Sequence, residues 1–151
     1  MNRLLILIAT FFNVGKFPIA PGTLASLITT IVFYVVNVKL QPSIYAQIAT
    51  IVLLFIVGIP AAAAAEKHFE KKDPGSCVID EVPGQMISLL FVPYSVGLYV
   101  AGFFLFRFFD IFKPFPVKQA DAIRGGFGVM FDDILAGLYA LGVLHLILYI
   151  F

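Results

Sequence analysis

Charge is what this sequence has least of. Asp, Glu, Lys and Arg make up 13% of its 151 residues, while 61% are hydrophobic and the mean hydropathy is +1.01. A soluble domain carries about a quarter charged residues, so the composition excludes an ordinary soluble fold and predicts a membrane protein. The net charge of +1 says nothing about partners, and no basic stripe or tail points to nucleic acid, so none is expected. The single cysteine, Cys77, excludes an internal disulfide and a cysteine-rich metal site. The start, "MNRLLILIATFF", has a basic residue and a short apolar run but no small-x-small cleavage site after it, so it reads as part of the mature chain. There is no internal repeat, and the one low-complexity run is Ala61 to Ala65.

Several chemistries lack their residues. No Gly-Lys-Ser/Thr follows a glycine-rich stretch, so there is no Walker loop. A cysteine phosphatase built on Cys77 would need Arg where Pro83 stands. His68 lies among charges and His145 in an apolar run, with no arrangement for histidine-phosphate catalysis; His145 reads as a packing or interfacial residue. A serine nucleophile would lack its base.

What is present is hydrophobic length. A bilayer takes about 20 apolar residues to cross. Residues 44–65 and 86–106 qualify, the second interrupted by Pro93 and Gly97. Residues 134–151 are nearly long enough, residues 24–38 are short, and residues 4–12 suit an interfacial or half-depth helix. The expected fold is all-α: a small integral-membrane helical bundle, one domain over 1–151, with short interfacial helices and polar Gly/Pro-rich loops. Three such stretches hold nearly every charge: "FNVGKFPIAPGTLAS", "EKHFEKKDPGSCVIDEVPGQ" and "FRFFDIFKPFPVKQADAIRGGFGVMFDD". In the third, Lys113 to Pro116 breaks the helix and Val117 to Arg124 forms a short one ended by Gly125-Gly126.

The acids are few but grouped. Asp80-Glu81 and Asp132-Asp133 each precede an apolar run, where capping and the helix macrodipole explain acids. Two doublets among nine acids strain that explanation. Asp110 resists it, because it falls at the C-terminal end of an apolar helix, where the macrodipole disfavours a negative charge. Arg107, three residues earlier, offers a salt bridge on the same face. The other reading is a site for a hard cation: Mg²⁺ takes carboxylates, waters and phosphate oxygens, and ionisable groups at membrane depth are functional by default. Lys16, Arg107, Lys113 and Arg124 are candidate phosphate contacts, whereas Lys67, Lys71 and Lys72 suit interfacial snorkelling. The glycines of "APGT", which ends at Thr23, and of "GGFG" both precede helices, where backbone amides can cradle phosphate. Metal-activated water is the chemistry left.

Four stretches together resemble the phosphatidylglycerophosphatase A family: "PIAPGTLASL" (Pro18 to Leu27), "VIDEVPGQ" (Val78 to Gln85), "FRFFDIFKPFP" (Phe106 to Pro116) and "GGFGVMFDDILAG" (Gly125 to Gly137). They keep the family's order and cover nearly the whole chain. Ala25 stands where glycine is usual, and Ala122 where a basic residue is common. The resemblance implies a Mg²⁺-dependent bacterial hydrolysis of phosphatidylglycerophosphate to phosphatidylglycerol and phosphate. Residues and resemblance together make Asp80, Glu81, Asp132 and Asp133 the expected catalytic acids, with Asp80, Asp132 and Asp133 as metal ligands, Glu81 as ligand or base, and Asp110 either behind the first metal or on a second. Phosphate binding would fall to Lys16, Thr23, Arg107, Lys113 and Arg124. Partners would be a phospholipid substrate and the bilayer, with no oligomer indicated. The alternatives are a phosphatase of another lipid phosphomonoester and a small divalent-cation transporter, although a transporter has no need of interleaved Arg and Lys.

One expectation conflicts with a simple span count. If residues 86–106 cross once, "VIDE" and "FRFFD" end about 30 Å apart. Either the segment turns back, with Pro93 as the bend, or tilted, partly embedded helices bring the polar ends together. The basic residues of the long loops place the polar stretches on the cytoplasmic side of the inner membrane.

Overall fold

The computed structural model describes residues 3–150. Among them there are seven α-helices and no strand: α1 (Arg3–Ala9), α2 (Pro21–Leu40), α3 (Ile44–Phe69), α4 (Glu81–Ser88), α5 (Val96–Phe112), α6 (Val117–Asp121) and α7 (Gly126–Ile150), with a 3-10 turn at Val14–Lys16. Three helices, α2, α3 and α7, are long and apolar enough to cross a membrane. Phe151, the last residue of the expected span 134–151, lies outside the described residues.

Local chemistry sets the boundaries. Pro21 opens α2, where its missing N–H is no loss. Gln41, left-handed at φ 45°, closes it with its N–H on the Asn37 carbonyl at 3.2 Å. Ser43 then caps α3, its hydroxyl accepting from the Ala46 N–H at 3.2 Å. Inside the spans, hydroxyls turn to their own helix: Thr29 donates to the Ala25 carbonyl and Thr30 to the Ser26 carbonyl, each at 2.8 Å. That satisfies polar groups where no water reaches.

The segment 86–106 does not cross in one piece. α4 ends at Ser88, Phe91 adopts φ 59°, Pro93 follows, and α5 starts at Val96. Proline lacks the N–H a helix needs and disfavours helical backbone at Val92 before it. The chain therefore doubles back, and Glu81 at the start of α4 and Asp110 near the end of α5 stand at one end of the bundle, where they line a common cavity. Of the two arrangements open from the sequence, the structure selects the turn.

α4 and α7 pack through glycine. A Cβ on Gly137 would stand 2.3 Å from the Gly84 carbonyl oxygen, and one on Gly84 2.7 Å from that of Asp133. Between apolar helices in lipid, backbone approach of this kind supplies the contact energy that water exclusion cannot. A Cβ on Gly126 would come within 1.9 Å of the Ile59 carbonyl oxygen of α3. The start of α7 is thus built for close packing. Two boundary expectations are corrected here: α7 begins at Gly126 rather than near residue 134, and α6 stops at Asp121 rather than Arg124. Outward-facing residues such as Ile31, Leu53, Ile56 and Leu146 are apolar and exposed, as a lipid-facing surface requires.

Candidate active site

A cavity of about 370 Å³ opens at the end where the three polar stretches meet. The first stretch contributes Ala20 to Thr23 at the start of α2. The second contributes Asp73, Cys77, Asp80 and Glu81. The third contributes Arg107, Asp110, Lys113, Asp132 and Asp133. All five carboxylates expected from the sequence line it. Asp80 and Glu81 are each 8% exposed, and Asp132 and Asp133 each 3%. The Gly84–Gly137 contact explains the meeting: it draws α4 and α7 together just below the two doublets.

Capping does not hold these acids. Asp80 precedes α4 but makes no side-chain cap hydrogen bond. Asp132 and Asp133 are not at a helix mouth, since α7 starts six residues before Asp132. Cations hold Glu81, Asp110 and Asp132, while Asp80 and Asp133 have no cation partner among the described residues. Arg107 donates to both Glu81 and Asp110, the latter at 2.8 Å. Lys113 donates to Asp121 Oδ1 at 2.8 Å and Asp132 Oδ2 at 2.7 Å. Ser26, fully buried on α2, donates to Glu81 Oε2 at 2.8 Å. Gly22 leaves room for the same carboxylate, because a Cβ there would stand 2.0 Å from Glu81 Oε1.

Three cavity residues have left-handed backbone: Ala20 at φ 45°, Asp73 at φ 44° and Lys113 at φ 44°. Such strain gathers at functional sites because the surrounding structure must hold it. At Lys113 the conformation ends α5, with the N–H on the Phe109 carbonyl at 2.9 Å, and the side chain extends into the acids.

The electrostatics follow from crowded, buried negative charge. Burial pushes the Glu81 carboxyl up to about 7; Asp110 adds to the rise, while Arg107 and Ser26 oppose it. Burial, then Glu81 and Asp73, hold Asp80 well above the usual carboxylate range. Lys113 is drawn down by burial, but its hydrogen bonds to Asp121 and Asp132 outweigh that and raise it. The Cys77 thiol borders the cavity, and burial together with the Asp80 charge pushes it far up, so it stays protonated and unreactive.

Several buried polar atoms lack partners: Asp80 Oδ1, Asp133 Oδ2 and Arg107 Nε at this site. With the side chains as they stand, no three Asp, Glu, His or Cys groups among the described residues gather around one point. Glu81, Asp110 and Asp132 pair with Arg107 and Lys113 instead. The donor set is nonetheless all carboxylate oxygen, and two of its oxygens are buried and unpaired, which is the chemistry a hard cation takes.

Two expected phosphate contacts lie elsewhere. Lys16 is exposed and borders a different cavity, with Arg3 and His68. Arg124 borders another, with Lys67, Lys71 and Lys72. The "GGFG" glycines are packing residues, with Gly126 against α3 and Gly128 against the Ile123 carbonyl. Thr23, Arg107 and Lys113 do line the cavity. Sequence reasoning missed Asp73, Asp121 and Ser26. Asp73 carried a signal as an acid directly before Pro74-Gly75. Ser26 lies one helical turn after Gly22, a spacing that puts both on one face of α2.

Fold and site together define a helical membrane protein with a buried, oxygen-rich ionic cavity at one end of its spans. The sequence matches the phosphatidylglycerophosphatase A family over residues 7–148, and the chain belongs to that family, whose members are phosphoric monoester hydrolases. The phosphatidylglycerophosphatase A of Escherichia coli K12 is 36% identical over 143 residues, covering 93% of this chain and 81% of that protein. That of Haemophilus influenzae is 38% identical over 145 residues, covering 95% and 88%. A Bacteroides thetaiotaomicron protein provisionally named a phosphatidylinositol-3-phosphatase is 39% identical over 140 residues, covering 89% and 87%. No solved structure matches the chain significantly.

Proposed function

We propose that this enzyme hydrolyses phosphatidylglycerophosphate to phosphatidylglycerol and phosphate, using Mg²⁺, at the cytoplasmic face of a bacterial inner membrane. The observation that carries the reading is the convergence of five carboxylates with Arg107 and Lys113 on one cavity at the end of the spans. A cation pathway has no use for those two bases. The basic residues support the sidedness: Lys67, Lys71, Lys72, Lys113, Lys118 and Arg124 belong to the loops and helix ends on the cavity side, against Lys39 at the far end.

Asp80, Glu81, Asp110, Asp132 and Asp133 would hold the metal, with Asp80 and Asp133 offering oxygens that have no other partner. When bound, Mg²⁺ supplies positive charge against the phosphoryl oxygens and acidity to the attacking water. Arg107 presents a planar fork with an unpaired Nε–H, suited to two phosphate oxygens at once. Lys113 adds a point charge on the same wall. Where Glu81 does not ligate the metal it would serve as the base, taking a proton from water, with Ser26 fixing its orientation. In the net reaction the water oxygen bonds to phosphorus as the ester phosphorus–oxygen bond breaks, and one proton of that water ends on the departing lipid oxygen, giving the lipid alcohol and inorganic phosphate.

The test is phosphate release from phosphatidylglycerophosphate in mixed micelles, with Mg²⁺ and with chelator, beside phosphatidic acid and phosphatidylinositol-3-phosphate of matched chains. The expected result is preference for the first lipid and loss of activity in chelator. Undiminished activity in chelator would overturn the metal. Preference for phosphatidylinositol-3-phosphate would transfer the site to the second reading, which the 39% identical relative's name favours.

A further inference from the structure

α2 and α3 are joined by only three residues, 41–43, and short connections normally leave neighbouring helices packed together. Here they barely touch; α2 packs on α4 and α5, and α3 on α1 and α7. The gap between them is a cleft of about 320 Å³. Its floor is Thr29 and Phe33 of α2 with Val82 and Met86 of α4, all buried. Its rim includes Val32, Ala46 and Thr50, which are exposed, so the cleft opens sideways toward lipid.

The lining is apolar even where the sequence is not. Thr29 donates to the Ala25 carbonyl at 2.8 Å, Thr50 to the Ala46 carbonyl at 2.9 Å, and the Gln47 amide to the Pro42 carbonyl at 3.2 Å. Each spends its donor on its own backbone, which leaves mostly methyl and methylene surface to an occupant. One face of α2 joins this cleft to the ionic cavity. Gly22, Ser26, Thr29, Phe33 and Val36 recur at alternating spacings of four and three, a single helical stripe. Gly22 lines the ionic cavity; Thr29, Phe33 and Val36 line the cleft; the Ser26–Glu81 hydrogen bond marks the level between them. At 1.5 Å per residue, Thr29 is about 10 Å and Val36 about 21 Å below Gly22, the depths of the acyl region in a hydrocarbon core about 30 Å thick.

We infer that this cleft seats an acyl chain of the phospholipid whose headgroup occupies the ionic cavity. The inference rests on the lipid phosphatase reading above. A chain in the bilayer is already out of water, so the cleft gives little hydrophobic affinity. It gives alignment, fixing the depth and heading at which the phosphate meets Arg107 and the acids.

The test fills the cleft from its exposed rim, with Ala46→Phe and, from the opposite wall, Val32→Phe. Ile48→Phe, on an exposed position of α3 outside the cleft, is the control. Rates are measured on dipalmitoyl and dihexanoyl phosphatidylglycerophosphate in the same detergent. Filling should lower the long-chain rate about tenfold or more and leave the short-chain rate and the control unchanged. Equal losses on both lipids, or no loss on either from both filled variants, would overturn the cleft. Wild-type turnover of a different lipid phosphomonoester would move the assay to that lipid and sink only the headgroup assignment. Absence of turnover on every lipid would sink both readings.

Discussion

The two ends of the bundle use the same backbone device for different purposes. At the far end, Gln41 and Phe91 adopt φ 45° and 59° at the loops after α2 and α4. Each turns the chain; Gln41 also caps α2, and the Phe91 ring is exposed. At the cavity end, Ala20, Asp73 and Lys113 adopt φ 45°, 44° and 44°, and all three line the ionic site. A left-handed non-glycine residue costs about 1 kcal/mol or more. At one end that cost secures a turn that glycine would make more easily. At the other, in Asp73 and Lys113, it also sets where a charged side chain goes, which glycine cannot do. Identical strain is therefore a poor guide to function until the side chain's destination is known.

The comparison is broken hardest by the acids. On the proposed metal site, Asp133→Asn should lower turnover at least ~100-fold by removing a ligand oxygen, while the melting temperature holds or rises because a buried carboxyl with an unpartnered oxygen is gone. Phosphate release and a detergent melt measure the two separately; loss of both would make Asp133 structural. Arg107→Lys keeps the charge but loses the fork, and should cost about tenfold in kcat/KM. Full activity would return Arg107 to a plain ion pair with Glu81 and Asp110. Ser26→Ala removes one hydrogen bond to Glu81 and should cost ~1 kcal/mol, roughly fivefold in kcat.

At the far end, Gln41→Gly should stabilise the protein by about 0.5–1 kcal/mol with unchanged activity; lost activity would show that the two ends are coupled. Smallest of all, Cys77→Ser should leave turnover unchanged, because the buried thiol stays protonated although it borders the cavity. Inactivation by that change would point to a covalent nucleophile.

Hydropathy made the all-helical class and the long apolar helix α3 legible, because span length is a direct demand of the bilayer, but it also offered 86–106, which turns back, and left α2 looking short. The doublets and Asp110 were legible as candidates for one cavity because acids in so apolar a chain need a reason. The start of α7 was not legible. Gly125, Gly126 and Gly128 carry the signature of a loop, and only the Ile59 and Ile123 carbonyls pressed against Gly126 and Gly128 reveal them as contact glycines. Nor did proximity in sequence identify partners. Lys113 looked like the neighbour of Asp110, yet its left-handed backbone sends it to Asp121 and Asp132. Lys16 and Arg124 shared every local feature with Arg107 but face other cavities. Side-chain destination is tertiary information that one-dimensional spacing does not hold.

The turn at residues 89–95 also settles a question of parity. A count of hydrophobic segments gives four crossings, at 24–38, 44–65, 86–106 and 134–151, and an even number returns the chain to the side it started from. The hairpin of α4 and α5 enters and leaves on one side, so it contributes no net crossing. Three helices long and apolar enough to traverse remain, α2, α3 and α7, and the topology follows from their crossing. α1 and the end of α7 must then face opposite compartments. On the proposed sidedness, a reporter active only in the cytoplasm should work when joined ahead of α1 and stay silent when joined after Ile150. The same reporter inserted beside Glu70 should work, and one placed beside Pro42 should not.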